Sequence, residues 1–370
     1  MTTLPWFEIQ NIDTIDSPAL ALHPNRIQQN IQTLLRSIDD VNRLRPHVKT
    51  HKSGEVSKMM LEAGIKKFKC ATIAEAEMLA MVEAPDVLLS YQPVGPKVNR
   101  FAALIKKYPT TTFSCLIDNL QSAKNLSTVF SDHSVPVQLY IDLNVGMNRT
   151  GIVPESALKL YENCKSLTGI TIVGLHAYDG HLREADFSQR VKRSDEVYSK
   201  VKALQRIISI KEGVKLSIVA GGTPTYSIHC RRKEIECSPG TFIYWDKGYE
   251  EMLKEQHYLF AAVVITRVIS KPTEDSICID LGHKSIASEN ALAQRVYFLN
   301  GTDLEPTGHS EEHMTFKTKV GNTYAVGDVL YGIPYHVCPT IALYDESNII
   351  RNNNATEQWV NLSRNRKITV

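Results

Sequence analysis

The chain of 370 residues has no apolar run near the roughly 20 residues that a membrane-spanning helix needs, so no membrane partner is expected. Its opening residues, MTTLPWFEIQNIDTIDS, lack the basic segment followed by an apolar stretch that marks a secretory signal. Neither sign of charge dominates: 42 Lys and Arg stand against 40 Asp and Glu, a formal net charge of +2. There is thus no electrostatic case for a nucleic acid or an anionic membrane as partner. The seven cysteines (70, 115, 164, 230, 237, 278 and 338) are scattered and odd in number, which argues against a disulfide framework and makes a reducing cytoplasm the expected compartment. No Gly-x-Gly-x-x-Gly turn follows the first candidate strand, which weakens the case for a dinucleotide site. Low-complexity tracts are absent too. With 43% hydrophobic and 22% charged residues, the composition is that of a globular enzyme of about two domains.

What is present is an alternation. From about residue 40 to 240, short apolar runs end in polar or Gly residues and are followed by helix-patterned stretches. The candidate strands are 43–49, 68–72, 87–91, 113–118, 137–144, 171–178, 216–222 and 234–240. Between them lie segments such as GEVSKMMLEAG and VNRFAALIKKY, whose apolar residues recur every three or four positions, as on a helix with one buried stripe. The strands are almost continuously apolar, as in a parallel sheet covered on both faces. Eight such alternations predict an α/β fold, a (β/α)8 barrel; a doubly wound open sheet is the other arrangement of the same units. Residues 17–38 would add a strand and a helix beside the barrel. After about residue 250 the texture becomes short strand-like runs separated by Gly, Pro, Asn and Asp, which reads as a compact β domain with NNNATE (352–357) as an exposed loop.

In a parallel barrel the chemistry gathers at the carboxyl ends of the strands. His47, Lys49, His51 and Lys52 fall at the end of the first strand; Asn144, Asn148 and Arg149 follow the fifth; Tyr178, Asp179, Gly180 and His181 follow the sixth. Gly221, Gly222, Thr223 and Thr225 follow the seventh, and Pro239, Gly240 and Thr241 the eighth. Small residues and hydroxyls there expose backbone N–H groups, as a phosphate pocket requires, although GGT alone is also an ordinary tight turn. Lys49 would project into the barrel mouth among other cations. Burial and like charges both favour the neutral, nucleophilic amine, so a lysine beside a phosphate pocket suggests pyridoxal phosphate held as a Schiff base. A solvated basic patch binding an anion is the plainer reading. Farther on, an extended PYHVCPT would set His336 and Cys338 on one face of a strand, an imidazole and a thiol suited to zinc; a buried cysteine beside a hydrogen-bonded histidine is the alternative. Arg183, Arg231 and Arg232 read as solvated surface charges that could instead pair with a carboxylate. His23, His133, His229, His257, His309 and His313 have no spacing that singles them out.

Taken in order, RPHVKTHKS, NVGMNRTG, HAYDGH, AGGTPT, SPGTFIYWD and HVCPT resemble the D-threonine aldolase and D-serine dehydratase family of fold-type III pyridoxal phosphate enzymes, alongside alanine racemase. The resemblance spans nearly the whole chain. It implies a pyridoxal phosphate-binding barrel over 17–248, a smaller C-terminal β domain formed by 1–16 and 249–370, and a homodimer with active sites near the domain junction. It further implies that Lys49 is the lysine bonded to the cofactor, that Arg149 lies near the ring oxygen and Tyr178 at the cofactor, and that Gly222, Thr223, Gly240 and Thr241 belong to the phosphate cup. His336 and Cys338 would be the pair for a divalent metal, zinc first, with manganese or magnesium as alternatives. Characterised aldolases place a histidine a few residues beyond the tyrosine as the base; here YDGHLRE offers His181 at +3 and Glu184 at +6, and His181 takes that place. The loop form of the eukaryotic D-serine dehydratases is not found.

The activity so implied is that of a lyase on small D-3-hydroxy amino acids. The substrate amine displaces Lys49, and the metal polarises the 3-hydroxyl. Removal of the hydroxyl proton then gives the D-threonine aldolase outcome, glycine and an aldehyde. Removal of the Cα proton by Lys49 gives the D-serine dehydratase outcome, a keto acid and ammonia. Two other readings are an amino acid racemase, which needs no metal, and a non-catalytic pyridoxal phosphate carrier, which would lack the roughly 110 residues beyond the barrel.

Overall fold

The computed structural model describes residues 4–132 and 136–370, so His133 lies outside the described residues. The chain forms two compact units. The first strand, β1 (Ala19–Leu22), and the helix after it, α1 (Pro24–Arg36), open the chain's regular structure. One unit, comprising Leu34–Lys49, Val56–Gly240 and Asn365–Val370, is built on a parallel sheet. Its strands are β2 (Lys67–Cys70), β3 (Asp86–Leu89), β4 (Thr112–Ile117), β5 (Val137–Asp142), β6 (Ile170–Ala177), β7 (Ser217–Ala220) and β8 (Ile235–Cys237), in sequential order. The helices α2 (Gly54–Glu62), α3 (Ile73–Met81), α4 (Pro96–Lys107), α5 (Leu120–Phe130), α6 (Pro154–Cys164), α7 (Phe187–Glu212) and α8 (Tyr226–His229) alternate with them. α3, α5 and α7 start where Thr72, Asn119 and Asp186 accept backbone N–H groups of the first turn, which would otherwise lack partners.

The sheet curls and closes as a TIM-barrel-like domain through residues 44–47. Leu44 bridges Cys237 on β8, and His47 bridges Lys69 on β2. The expected first strand over 43–49 is cut to this short bridge, flanked by 3-10 turns at Val41–Arg43 and Val48–Thr50. Pro46 is the reason. Its carbonyl accepts from Lys69 N at 2.9 Å, but it has no N–H to return to the β2 side, while Arg45 and His47 donate to the β8 side. Lys49 therefore lies within a 3-10 turn and not at a strand end.

Beneath the mouth, Leu88, Leu116, Tyr140 and Val219 form the inner core. At the opposite end Arg45, fully buried, donates to both carboxylate oxygens of Asp86 (2.6 and 3.1 Å) and to Glu236 (2.6 Å). Lys67 also pairs with Glu236 at 2.5 Å.

The other unit contains the chain through Thr33, Thr50–Glu55 and Thr241–Arg364. After the short α9 (Lys247–Met252), its sheet is formed by β9 (Ala262–Thr273), β10 (Ser276–Ile279), β11 (Val296–Phe298), β12 (Glu305–His309), β13 (Met314–Lys317), β14 (Val329–Pro334), β15 (Glu346–Arg351) and β16 (Asn354–Val360), with a five-residue helix, α10 (Val337–Ile341), between β14 and β15. The strand path runs β12-β13-β10-β9-β1-β15-β16, while β14 pairs with β9 and β11. Thus β1, expected as a strand beside the barrel, belongs to this sheet: it pairs antiparallel with β9 and parallel with β15. All four of its residues are buried, and Ala19 and Ala21 join Val263, Ile265 and Ile350 in this unit's core. The segment expected as an exposed loop is a two-residue hairpin turn, Asn352–Asn353, both at positive φ, with Arg351 opposite Asn354; residues 354–357 belong to β16. Asn tolerates the left-handed conformation that such a turn demands. The final stretch beyond β16 is not a strand, containing instead the 3-10 turn Leu362–Arg364.

Candidate active site

The barrel mouth gathers polar side chains from most of its strands. One cavity is lined by His47 and Lys49 from the closing segment, Lys69 from β2, Ser90 after β3, Asp142 from β5, Arg149 from the loop beyond it, and His176 and Tyr178 from β6 and its end. Three cations surround the Tyr178 ring: Lys49 Nζ is 6.0 Å, Lys69 Nζ 5.6 Å and the Arg149 guanidinium 5.3 Å from its centroid. Among the described residues none of the three has a side-chain hydrogen bond or ion pair. Like charges so placed repel one another; the Asp142 and Asp179 carboxylates offset this in part at Lys69, and a bound anion would relieve it further.

Lys69 was not singled out by the sequence. It is 2% exposed, and burial, reinforced by the charge of Lys49, brings its pKa from 10.5 down to about 7. His176 and Asp142 were missed as well. His176 Nδ1 lies 2.7 Å from Asp142 Oδ1, and both residues are buried. Burial holds the imidazole pKa below its usual range, while the Asp142 carboxyl stays low despite burial because His176 bonds to it. The pair is thus a neutral imidazole donating from Nδ1 to a carboxylate, with Nε2 left buried and without a partner. An isolated His or Lys inside an apolar strand is a weak signal on its own. The one available here was that 142 and 176 lie toward the carboxyl ends of predicted strands; 69 is the second residue of 68–72 and carried no such signal.

The glycine turns lie nearby in the chain's own geometry. A Cβ on Gly222 would stand 2.8 Å from the Tyr178 ring, so only glycine lets the backbone approach it. Thr223 Oγ1 accepts from Gly240 N at 3.2 Å, drawing the turns after β7 and β8 together. Ser238 Oγ, in the second turn, is buried without a partner. An amine, an aromatic face, cations without side-chain partners, glycine turns drawn together and an orphaned hydroxyl fit a phosphorylated aromatic aldehyde such as pyridoxal phosphate.

Other expected residues fall elsewhere. His181 does not line the Lys49 cavity: its Nε2 lies 2.8 Å from where a Cβ on Gly146 would be, behind the loop after β5. Arg183 and Arg231 are exposed, as expected, but Arg232 is not a solvated charge; it donates to His229 Nδ1 (2.8 Å) and to Ser194 (3.2 Å) and pairs with Asp195.

Thr241, His336 and Cys338 belong to the β unit. His336 and Cys338 are not on a strand. His336 caps α10 with extended backbone, and Cys338 lies in the helix's first turn. The helix starts here because Asp246 Oδ2 accepts the N–H of Val337 at 3.2 Å and because Pro339, with no N–H, suits a first turn. The two side chains still interact. Cys338 Sγ is also 3.2 Å from Thr50 Oγ1 and 3.7 Å from Thr241 Oγ1, while His336 Nδ1 bonds to Glu289. An imidazole and a thiol are suitable donors for a borderline-soft divalent ion. Among the described residues no group of three or more His, Cys, Asp or Glu is arranged as a metal cage, so this pair offers two protein donors only. No helix among the described residues is long and apolar enough to cross a membrane.

Comparison with known proteins agrees with this geometry. The family model for the alanine racemase N-terminal domain matches residues 22–244, and the "Putative serine dehydratase domain" matches 261–350. The chain is 24% identical over 355 residues to a D-threonine aldolase of Arthrobacter sp., covering 93% of this chain and 92% of that protein. It is 21% identical over 374 residues to the D-threo-3-hydroxyaspartate dehydratase of Delftia sp. strain HT23, covering 94% and 98%. In fold it is similar to the crystal structure of D-threonine aldolase from Filomicrobium marinum, with a TM-score of 0.86 at 23% identity over 97% and 98% of the two chains. The chain belongs to the alanine racemase N-terminal domain family, in the D-threonine aldolase and D-serine dehydratase branch in which a serine dehydratase domain follows the barrel.

Proposed function

We propose that this protein is a pyridoxal phosphate- and divalent metal-dependent lyase acting on D-3-hydroxy amino acids in the manner of a D-threonine aldolase. The observation that carries the reading is the set of three unpartnered cations, Lys49, Lys69 and Arg149, around the Tyr178 ring at the barrel mouth. When bound, pyridoxal phosphate supplies an electron sink for the pair of electrons left by the broken bond. Lys49 would hold it covalently, Tyr178 would face its ring, Arg149 would meet its ring oxygen, and Gly222, Thr223 and Gly240 would hold its phosphate. The Lys49 amine, when not bonded to the cofactor, would be free to carry a proton. On the cavity wall, Asp142 fixes the His176 tautomer so that Nε2 is the proton acceptor, a better-placed base than His181, which lies outside the lining. A divalent metal, zinc first, held by His336 and Cys338 would supply Lewis acidity toward a hydroxyl.

A second reading is elimination to a keto acid and ammonia, with Lys49 taking the Cα proton. One observation favours it. A D-threo-3-hydroxyaspartate dehydratase has been solved with a histidine and with a cysteine two positions later each replaced by alanine, the cysteine variant in a metal-free form. His336 and Cys338 have the same spacing.

Assay of the purified protein with D-threonine and D-serine, with and without a chelator, decides between them. Glycine and acetaldehyde from D-threonine support the aldolase; pyruvate and ammonia from D-serine support the dehydratase. Activity that survives complete metal removal overturns the metal-dependent form of both. Racemised substrate with no cleavage product overturns the lyase.

A further inference from the structure

Behind the glycine turn lies a buried chain of polar contacts that the reaction scheme above does not use. Gly221 has φ +74°, and a Cβ there would stand 2.6 Å from His229 Cδ2 and 2.9 Å from Thr225 Oγ1. The turn therefore sits directly on these two side chains. Thr225 Oγ1 is 2.6 Å from Asp179 Oδ1, and His229 Nε2 is 2.8 Å from Asp179 Oδ2. Arg232 Nη1 is 2.8 Å from His229 Nδ1, and Arg232 is tied in turn to Ser194 and Asp195 on α7. Asp179, Thr225 and His229 are all 2% exposed or less.

The proton positions follow from donor chemistry. A guanidinium has no acceptor, so His229 Nδ1 must accept from Arg232. The ring is then neutral, with its proton on Nε2, which donates to Asp179. The other Asp179 oxygen takes the Thr225 hydroxyl proton. That leaves the Thr225 oxygen as an acceptor facing the turn, 3.5 Å from Gly222 N. Every group in the line has one orientation, from an anchored arginine on the α7 side to the backbone of the turn.

We propose that Asp179, Thr225 and His229 are positioning residues for phosphate binding: they hold the Gly221–Thr223 backbone in the shape that receives a phosphate monoester. The inference rests on the assignment of this turn to the cofactor's phosphate. It explains why the residue after Tyr178 is an aspartate without a solvent-facing role, and why His229, unremarkable in sequence, is buried against the turn. A rigid turn matters because a phosphate is bound by several N–H groups at once, and small shifts misalign all of them together.

The test compares pyridoxal phosphate with pyridoxal, which has the same aldehyde and ring but no phosphate. The dialysed protein is titrated with each, following absorbance, and with inorganic phosphate as competitor. Thr225→Val keeps the side-chain shape and removes the hydroxyl link to Asp179. It should weaken pyridoxal phosphate and inorganic phosphate about tenfold or more, the scale of one buried hydrogen bond, while pyridoxal binding stays within about twofold. Thr225→Ser should restore native affinity. Should Thr225→Val not fold, His229→Gln, which can still donate to Asp179, should keep the preference for the phosphorylated form, and Asp179→Asn should lose it. Equal loss for both vitamers, or no change in either, overturns the positioning role. Equal affinity of the native protein for the two vitamers overturns the phosphate assignment itself, and this inference with it.

Discussion

Replacing Lys69 by methionine should stabilise the protein, and by an amount that depends on pH. The ammonium is buried without a hydrogen bond among the described residues, and burial with the charge of Lys49 lowers its pKa from 10.5 to about 7. The folded pKa is the depressed one, so between these values the unfolded chain binds the extra proton and folding is opposed. Stability therefore rises with pH from 7 to 10.5, and the opposition is complete below 7. At about 1.4 kcal/mol per pH unit, the cost is about 5 kcal/mol near pH 6, about 4 near pH 7 and about 2 near pH 9. Methionine has a comparable shape and no charge, so Lys69→Met removes this cost. Urea denaturation of both proteins across this range should show the variant ahead, with the gap narrowing by about 2 kcal/mol between pH 7 and 9. A gap independent of pH, or a less stable variant at pH 7, refutes the reasoning. An amine kept in the barrel mouth against that cost is consistent with a functional role, since sites are often built at the expense of stability.

Lys49→Ala should leave no pyridoxyl adduct after incubation with pyridoxal phosphate and borohydride reduction, by mass spectrometry; an adduct on Lys69 or Lys52 would move the reactive amine there. His336→Ala should reduce bound zinc, measured by elemental analysis, with cofactor content unchanged; loss of both together would make the histidine structural. Arg45→Met should lower stability by about 2–4 kcal/mol in chemical denaturation, because Asp86 and Glu236 lose their buried partner, with the partial exposure of Asp86 reducing the effect. Adding Glu236→Gln should recover part of that loss, and no recovery would assign the loss to packing.

The alternation of apolar runs with helix-patterned segments determined the parallel strand–helix units by itself, because a parallel strand covered on both faces and an amphipathic helix each leave a local signature, while closure as a barrel rather than an open sheet rests on the bridges of Leu44 and His47. Lys49, Arg149 and Tyr178, which the structure brings to one cavity, stood out for a similar reason: each follows an apolar run that polar and small residues interrupt. Other features belong to partners distant in the chain. β1 has the same buried apolar pattern as a barrel strand, and only its pairing with β9 and β15 assigns it to the other sheet. Asp246, 91 positions before Val337, turned an expected strand into the start of α10. Lys69, Asp142 and His176 gained meaning when the barrel's curl turned them inward to one cavity, since register and closure decide which face of a strand meets which.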